Sequence, residues 1–317
     1  MIDPLTATDH SELLAVINDA AQAYRGVIPA DRWHEPYFGA HDLEQALGEG
    51  VVFSGIRHQG RLQGVMGIQR GDGVALIRHA YVRTVLRGQG LGSQLLQHLL
   101  SQERLPILIG TWAAAEWAIR FYRKHGFRVV SPWEKDALLR RHWKVPPRQI
   151  ETSVVLADRR WLAASLNAVT VELAQAEEAP LLLAIQKAAF EQEARACGVR
   201  DIPPMTQSLG SFAADLATHV VLTARLEGQL VGLVRGRLEG QTCHLGRLAV
   251  HPDVQGRGIG RRLAIALEAR FPHARRFELF TGARSEGNLR LYASLGYRTF
   301  RTEPGTPELV FMEKSPA

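Results

Sequence analysis

"RGQGLGSQLL" (residues 87–96) sets three glycines at alternate positions directly ahead of a leucine-rich helical pattern. Each glycine weakens regular structure, so the run needs a reason. Successive backbone N–H groups turning into a helix N-terminus form a concave donor array for an anion, and the helix dipole adds positive potential there. A Cβ at Gly88, Gly90 or Gly92 would hold a phosphate away from those amides. Leu91, Leu95, Leu96, Leu99 and Leu100 then form one apolar stripe. The stretch reads as a phosphate-holding turn that opens a buried helix.

The arrangement recurs 168 residues later as "QGRGIGRRLA" (255–264), with Ile259, Leu263, Ala266 and Leu267 as the stripe. The same offset aligns "GRLQGVMGIQRGDG" (60–73) with "GQLVGLVRGRLEGQ" (228–241), and "LLAVINDAA" (13–21) with "LLLAIQKAA" (181–189). Downstream, "FYRKHGF" (121–127) matches "LYASLGY" (291–297) after a two-residue insertion. The chain therefore holds two copies of one domain, expected over residues 1–160 and 161–317. Periodicity in copy one predicts a short strand near Leu5 and a helix through residues 11–24. A polar, aromatic-rich segment follows (24–49), read as another helix with loops, and then strands near 51–57, 62–69 and 74–83. The glycine turn opens a helix over 91–101; a strand at 106–111, a helix around 115–124 and a closing strand pair ending at 151–157 complete the unit. Residues 158–168 form the connection, with the composition of a short helix.

The dinucleotide fingerprint needs G-x-G-x-x-G after the first strand of a βαβ unit, whereas here G-x-G-x-G follows several antiparallel-looking strands. The Gly-Lys-Ser/Thr of a Walker loop is absent. Of the 38 basic residues, 33 are arginine, the net charge is +6 and the pI is about 9.6. The arginines are spread along the chain, with one local run at 139–148, so they read as solvated surface and nucleic acid is not expected. The start lacks the basic and apolar regions of a signal peptide, and no apolar run approaches a membrane span. Cys197 and Cys243 cannot build a disulfide framework, and no Cys/His cluster has metal spacing. A cytoplasmic protein without metal is expected.

In each copy a strand ending "AYV" (80–82) or "LAV" (248–250) leads into [R/Q]-x-x-G-x-G, and a [F/L]-Y-x-x-x-G-[F/Y] helix end follows some 35 residues on. This combination resembles the GNAT superfamily of acetyl-CoA-dependent N-acetyltransferases, and the resemblance covers essentially the whole chain, twice. It implies two tandem α/β (α+β) domains, each a mixed, mostly antiparallel central sheet flanked by helices. Arg87, Gly88, Gln89, Gly90, Leu91 and Gly92, and Gln255, Gly256, Arg257, Gly258, Ile259 and Gly260, match the family's pyrophosphate loop, with Ser93 and Arg261 next in the helix. The resemblance further implies that pantetheine amides pair with the fourth strand at Tyr81 and Val82, and at Ala249 and Val250. An uncharged amine attacks the thioester, strand N–H groups stabilise the oxyanion, and a tyrosine protonates the thiolate; Tyr122 and Tyr292 hold that position.

Asn288 lies one turn before Tyr292, and Ser285 is placed to cap the same helix; both are assigned to cofactor binding. Copy one has Ala115 and Ala118 in their stead, so catalysis is expected mainly in copy two, with copy one a secondary or structural site. Thr111 and Thr281 end the fifth strands. His79, His244 and Glu278 are candidate general bases, although for each a satisfied strand-edge or surface role is favoured over catalysis. Tyr24, Asp31, Trp33, His34, Glu35 and Tyr37 in the first copy, and Glu191, Glu193 and Asp201 in the second, are candidates for acceptor recognition. The expected function is transfer of an acetyl group to a primary amine of a small molecule or peptide. The alternative is a non-enzymatic acyl-CoA-binding or scaffold protein with one or both domains degenerate.

Overall fold

The computed structural model describes residues 1–143, 145–199 and 201–316, without the side chains of Gln192, Ala196 and Cys197. Lys144, Arg200, Ala317 and the Cys197 thiol thus lie outside the described residues. Two compact units divide the chain, Met1–Ala163 and Ala164–Ala317.

The first unit runs β1 (Ile2–Pro4), α1 (His10–Ala21), α2 (Ala40–Gly48), β2 (Val51–His58), β3 (Arg61–Gly71), β4 (Val74–Val82), α3 (Leu91–Gln102), β5 (Ile107–Trp112), α4 (Glu116–Lys124), β6 (Arg128–Val129), α5 (Pro132–Leu138), α6 (Pro147–Glu151), β7 (Ser153–Ala157) and α7 (Arg159–Asn167), the last of which leads into the second unit. The second runs β8 (Val169–Leu173), α8 (Ala179–Cys197), α9 (Pro203–Thr206), α10 (Leu209–Thr218), β9 (Val220–Leu226), β10 (Gln229–Glu239), β11 (Thr242–Val250), α11 (Ile259–Glu268), β12 (Arg276–Gly282), α12 (Glu286–Ser294), β13 (Arg298–Glu303) and β14 (Leu309–Lys314). Their seven-stranded sheets have one topology: β1-β2-β3-β4-β5-β7-β6 and β8-β9-β10-β11-β12-β14-β13. Among the described residues, only the β4–β5 and β11–β12 neighbours are parallel. The mixed, mostly antiparallel architecture expected from the repeat is therefore present in both halves.

Helix α3 buries Leu95, Leu96 and Leu99 against Ile56, Met66, Ile68, Ala75 and Ile77 of the sheet, with Leu91 and Leu100 at the margin of the same cluster. Each fully buried leucine contributes on the order of 2 kcal/mol. In α11 the buried stripe is Ile259, Leu263, Ala264 and Leu267. Ala264 takes the place expected of Ala266, which is only half-buried, so the buried face is rotated slightly toward the 260–264 side of the stripe.

Two features shape the ground for a ligand. A register shift between Val65 and Gly67 bulges β4, leaving His79 at φ +50°; the same shift in β10–β11 leaves Arg247 at φ +53°. Beyond the bulge the central strands part. β4 pairs with β5 only over Ala75–Ile77, and β11 with β12 only over Thr242–His244. The second feature is a difference: residues 130–152 of the first unit carry α5, a π-helical turn (Leu139–Trp143) and α6 between the last two strands. In the second unit residues 304–308 make the same connection.

Candidate active site

A cavity of about 1000 Å³ opens where β4 and β5 part. Ala80, Tyr81 and Val82 form one wall and Gly110, Thr111 and Trp112 the other; Arg87, Gly88, Gly90, Gly92 and Ser93 border one end, and Tyr122 lines it from α4. The sequence-predicted loop, strand and tyrosine of copy one thus meet at one opening. Gln89 is absent from the lining.

The loop geometry explains the glycines. Gly88 and Gly90 have φ of +80° and +83°, which L side chains rarely adopt, and a Cβ on either would meet nothing within 4 Å. They keep the mouth clear. Gly92 has ordinary backbone and sits one residue inside α3, where its Cβ would touch Phe121 at 3.5 Å. Arg87 fastens the loop by donating to the Ala20 carbonyl at the end of α1 (2.6 Å), and Ser93 meets His125 Nε2 at 2.9 Å.

Tyr122 is 6% exposed, with its ring against Phe121 and Phe127. Burial first, then the neighbouring Tyr24 phenol, pushes its pKa well above the usual range, so it stays protonated at neutral pH. Around it stands an aromatic group. Tyr24 lies parallel to Tyr37 (ring centroids 6.3 Å), packs on Trp117 (5.3 Å) and meets Tyr81 edge-on (6.4 Å). Burial raises the Tyr24 pKa to about 12, while a hydrogen bond to Thr111 opposes the rise. Of the other acceptor candidates, Trp33 and His34 stack around Tyr37 outside the cavity lining, and Glu35 pairs with Arg25. Asp31 faces Arg32.

His79 lines the same cavity, packed between Phe38 (4.5 Å) and Phe53 (5.6 Å), its Nε2 buried without a hydrogen-bond partner. Burial, aided by Arg78, lowers its pKa to about 3. So weak a base has little affinity for an ammonium proton, which argues for packing over catalysis. His244 and Glu278 face each other in register at the paired end of β11–β12, before the strands part, and are engaged with Glu239 and Arg276.

The second unit repeats the frame with different contents. Tyr292 is as buried as Tyr122 and packs on Tyr297. Gly256 and Gly258 again have positive φ, but a Cβ on Gly258 would lie 3.2 Å from Leu166, whose carbonyl accepts from Arg262. Gln255 donates to the Val250 carbonyl, and Arg261 to Ser294. The long helix α8 carries Glu193 to the tyrosine. Its carboxylate accepts from the Ser285 hydroxyl (2.7 Å), the Gly282 N–H (3.4 Å) and the Asn288 amide (3.5 Å). Asn288 also donates to Thr281, and burial together with Glu193 raises the Tyr292 pKa. Ser285 holds the N-cap position expected of it, yet its hydroxyl goes to Glu193 and not to the helix amides. Glu191 pairs with Arg195 one helical turn away.

Residues 182–297 match the acetyltransferase (GNAT) family, and residues 49–129 match the acetyltransferase (GNAT) domain. The chain belongs to the GNAT acetyltransferases, with one domain of the family in each half. No curated protein matches the chain in sequence. Similar solved structures each align with about half of this tandem GNAT protein and nearly all of themselves. The PaiA N-acetyltransferase from Thermoplasma acidophilum, in complex with coenzyme A, is 14% identical (TM-score 0.42; 47% of this chain, 99% of that one). The ribosomal-protein-S18-alanine N-acetyltransferase from Escherichia coli is 19% identical (0.40; 46% and 93%). A putative acetyltransferase from Salmonella typhimurium, with acetyl-CoA, is 22% identical (0.39; 47% and 94%).

Among the described residues, no three or more His, Cys, Asp or Glu side chains are grouped to hold a metal ion, and no helix is long and apolar enough to cross a membrane. The insertion at 130–152 was not assigned to the site from sequence, although Leu139, Trp143, Val145 and Gln149 all line the cavity. Its two tryptophans within short, weakly periodic helices were the available signal.

Proposed function

We propose that this protein is an acetyl-CoA-dependent N-acetyltransferase whose first domain carries out the transfer to a primary amine. The observation that carries this reading is the single cavity joining the cleared glycine loop, the parted β4–β5 edge and the buried Tyr122 hydroxyl. Acetyl-CoA, when bound, supplies an activated acetyl thioester. The N–H groups of residues 88–93 suit its diphosphate, and the β4 edge at Tyr81 and Val82 suits its pantetheine amides, as an added strand would pair. The same edge offers N–H groups to an oxyanion. Tyr122 donates the proton to the departing thiolate. Burial makes both the phenolate and a thiolate costly, so the raised Tyr122 pKa does not by itself forbid the transfer.

A different role suits the second domain. Glu193 already engages the Ser285 and Asn288 pair, and Leu166 leans on Gly258, so this copy is read as a weakly binding or structural partner. Free-thiol release from acetyl-CoA in the presence of a panel of amines tests the proposal on the intact chain. Amine-dependent release supports it; tight acetyl-CoA binding with no release to any amine favours the acyl-CoA-binding alternative.

A further inference from the structure

The lining of the first-domain cavity has an uneven charge composition. Among the described residues it contains no aspartate or glutamate; its charged side chains are Arg87, Lys124 and Arg78, the last already paired with Glu49 outside the lining. Burying an ammonium ion without an anionic partner is costly. The phenols offer no substitute anion, since burial keeps Tyr24 and Tyr81 protonated. Cation–π contact could in principle compensate. Here, however, Tyr24 and Tyr37 lie face to face and Tyr81 meets both edge-on, at 6.4 and 6.5 Å, so those faces are already engaged with one another.

The second domain shows that the fold can place a carboxylate at this spot. Its first long helix brings Glu193 to Tyr292, as the 3-10 turn Gln22–Tyr24 after the corresponding helix of the first domain brings Tyr24 to Thr111 and Tyr122. The first domain also has a wall that the second does not build. Its 130–152 insertion presents Trp143, whose indole lies 3.1–3.3 Å from where a Cβ on Gly110 would stand, so the ring packs close over β5 where the backbone carries no side chain.

We infer that the first domain accepts a weakly basic amine borne on an aromatic body, of the aniline class, with Tyr24 and Trp143 as the residues that set this preference. Such an amine enters uncharged at neutral pH, needs no carboxylate, and places its ring against the Trp143 indole beside Tyr24. The inference rests on the acetyltransferase reading, and its test separates the two.

The full chain, saturated with coenzyme A so that no turnover occurs, is titrated calorimetrically with 4-ethylaniline and with spermidine. The aniline is expected to bind at least tenfold more tightly. Trp143→Ala should weaken it about tenfold or more and Trp143→Phe should restore it, with coenzyme A affinity unchanged. Tyr24→Glu should shift the preference toward spermidine by at least tenfold, and Tyr24→Phe should not. Tighter binding of spermidine to the unmodified protein, no binding of either amine, or an aniline affinity indifferent to Trp143→Ala and Tyr24→Glu would overturn the inference while leaving acetyl transfer to be judged by thiol release. Failure of coenzyme A itself to bind would overturn both.

Discussion

In the first domain α1 stops at Ala21, and Gly26, at φ +76°, turns the chain away so that Tyr24 stands beside an open cleft. In the second domain the corresponding helix continues to Cys197, ends on a left-handed Gly198 and carries Glu193 into contact with Ser285, Asn288 and Gly282. The glycine loops differ in the same direction: Gly88 and Gly90 face open space, while Leu166 lies against Gly258. One pattern of loop, bulged strand and tyrosine therefore specifies the same scaffold twice. What it leaves open is whether the cleft is available, which depends on where one flanking helix ends and what the preceding segment covers.

The largest expected effect separates the two tyrosines. Tyr122→Phe should lower kcat by ~10²–10⁴-fold while leaving acetyl-CoA affinity nearly unchanged, because the lost group acts on the leaving thiolate. Tyr292→Phe should leave kcat unaltered. Steady-state kinetics of both variants decides the matter, and equal losses would mean that both clefts turn over.

A smaller effect concerns acid stability. At the bulge the first domain has His79 and the second Arg247, whose pKa burial lowers only to about 10. His79 is lowered to about 3 in the folded state against about 6.5 unfolded, so the unfolded chain binds the extra proton. Its contribution is fully present above pH 6.5 and is lost as pH falls below that value. Between pH 7 and pH 5 this amounts to at most about 2 kcal/mol. Thermal unfolding of His79→Gln should therefore lose less stability over that interval than the unmodified chain does. An equal loss would remove His79 as the source.

Much of this was legible in the sequence. The 168-residue offset revealed the doubling, and the strand and helix flanking the first loop, expected at 74–83 and 91–101, fell within a residue of their observed bounds because their periodicities are strong. The loop residues and both tyrosines could be singled out as candidates because glycine and tyrosine occupy fixed positions relative to one strand and one helix. The expectation that copy two would carry the chemistry rested on the polar Ser285–Asn288 pair, and the structure shows that pair bound by a carboxylate more than 90 residues earlier in the chain. Local pattern cannot reveal such a contact. The 130–152 insertion was also hidden, since its helices are too short to establish a period and Trp143 meets Gly110 only through the fold.

The central claim, that the first cleft and not the second receives acetyl-CoA tightly, is tested most directly by calorimetric titration of matched glycine variants. Gly90 and Gly258 share left-handed backbone, φ +83° and +91°, so valine at either position carries similar backbone strain, with the contact to Leu166 added at Gly258 alone. The unmodified chain should bind one acetyl-CoA tightly, Gly258→Val should retain that site, and Gly90→Val should lose it. Tight binding that survives Gly90→Val and disappears in Gly258→Val would contradict the account.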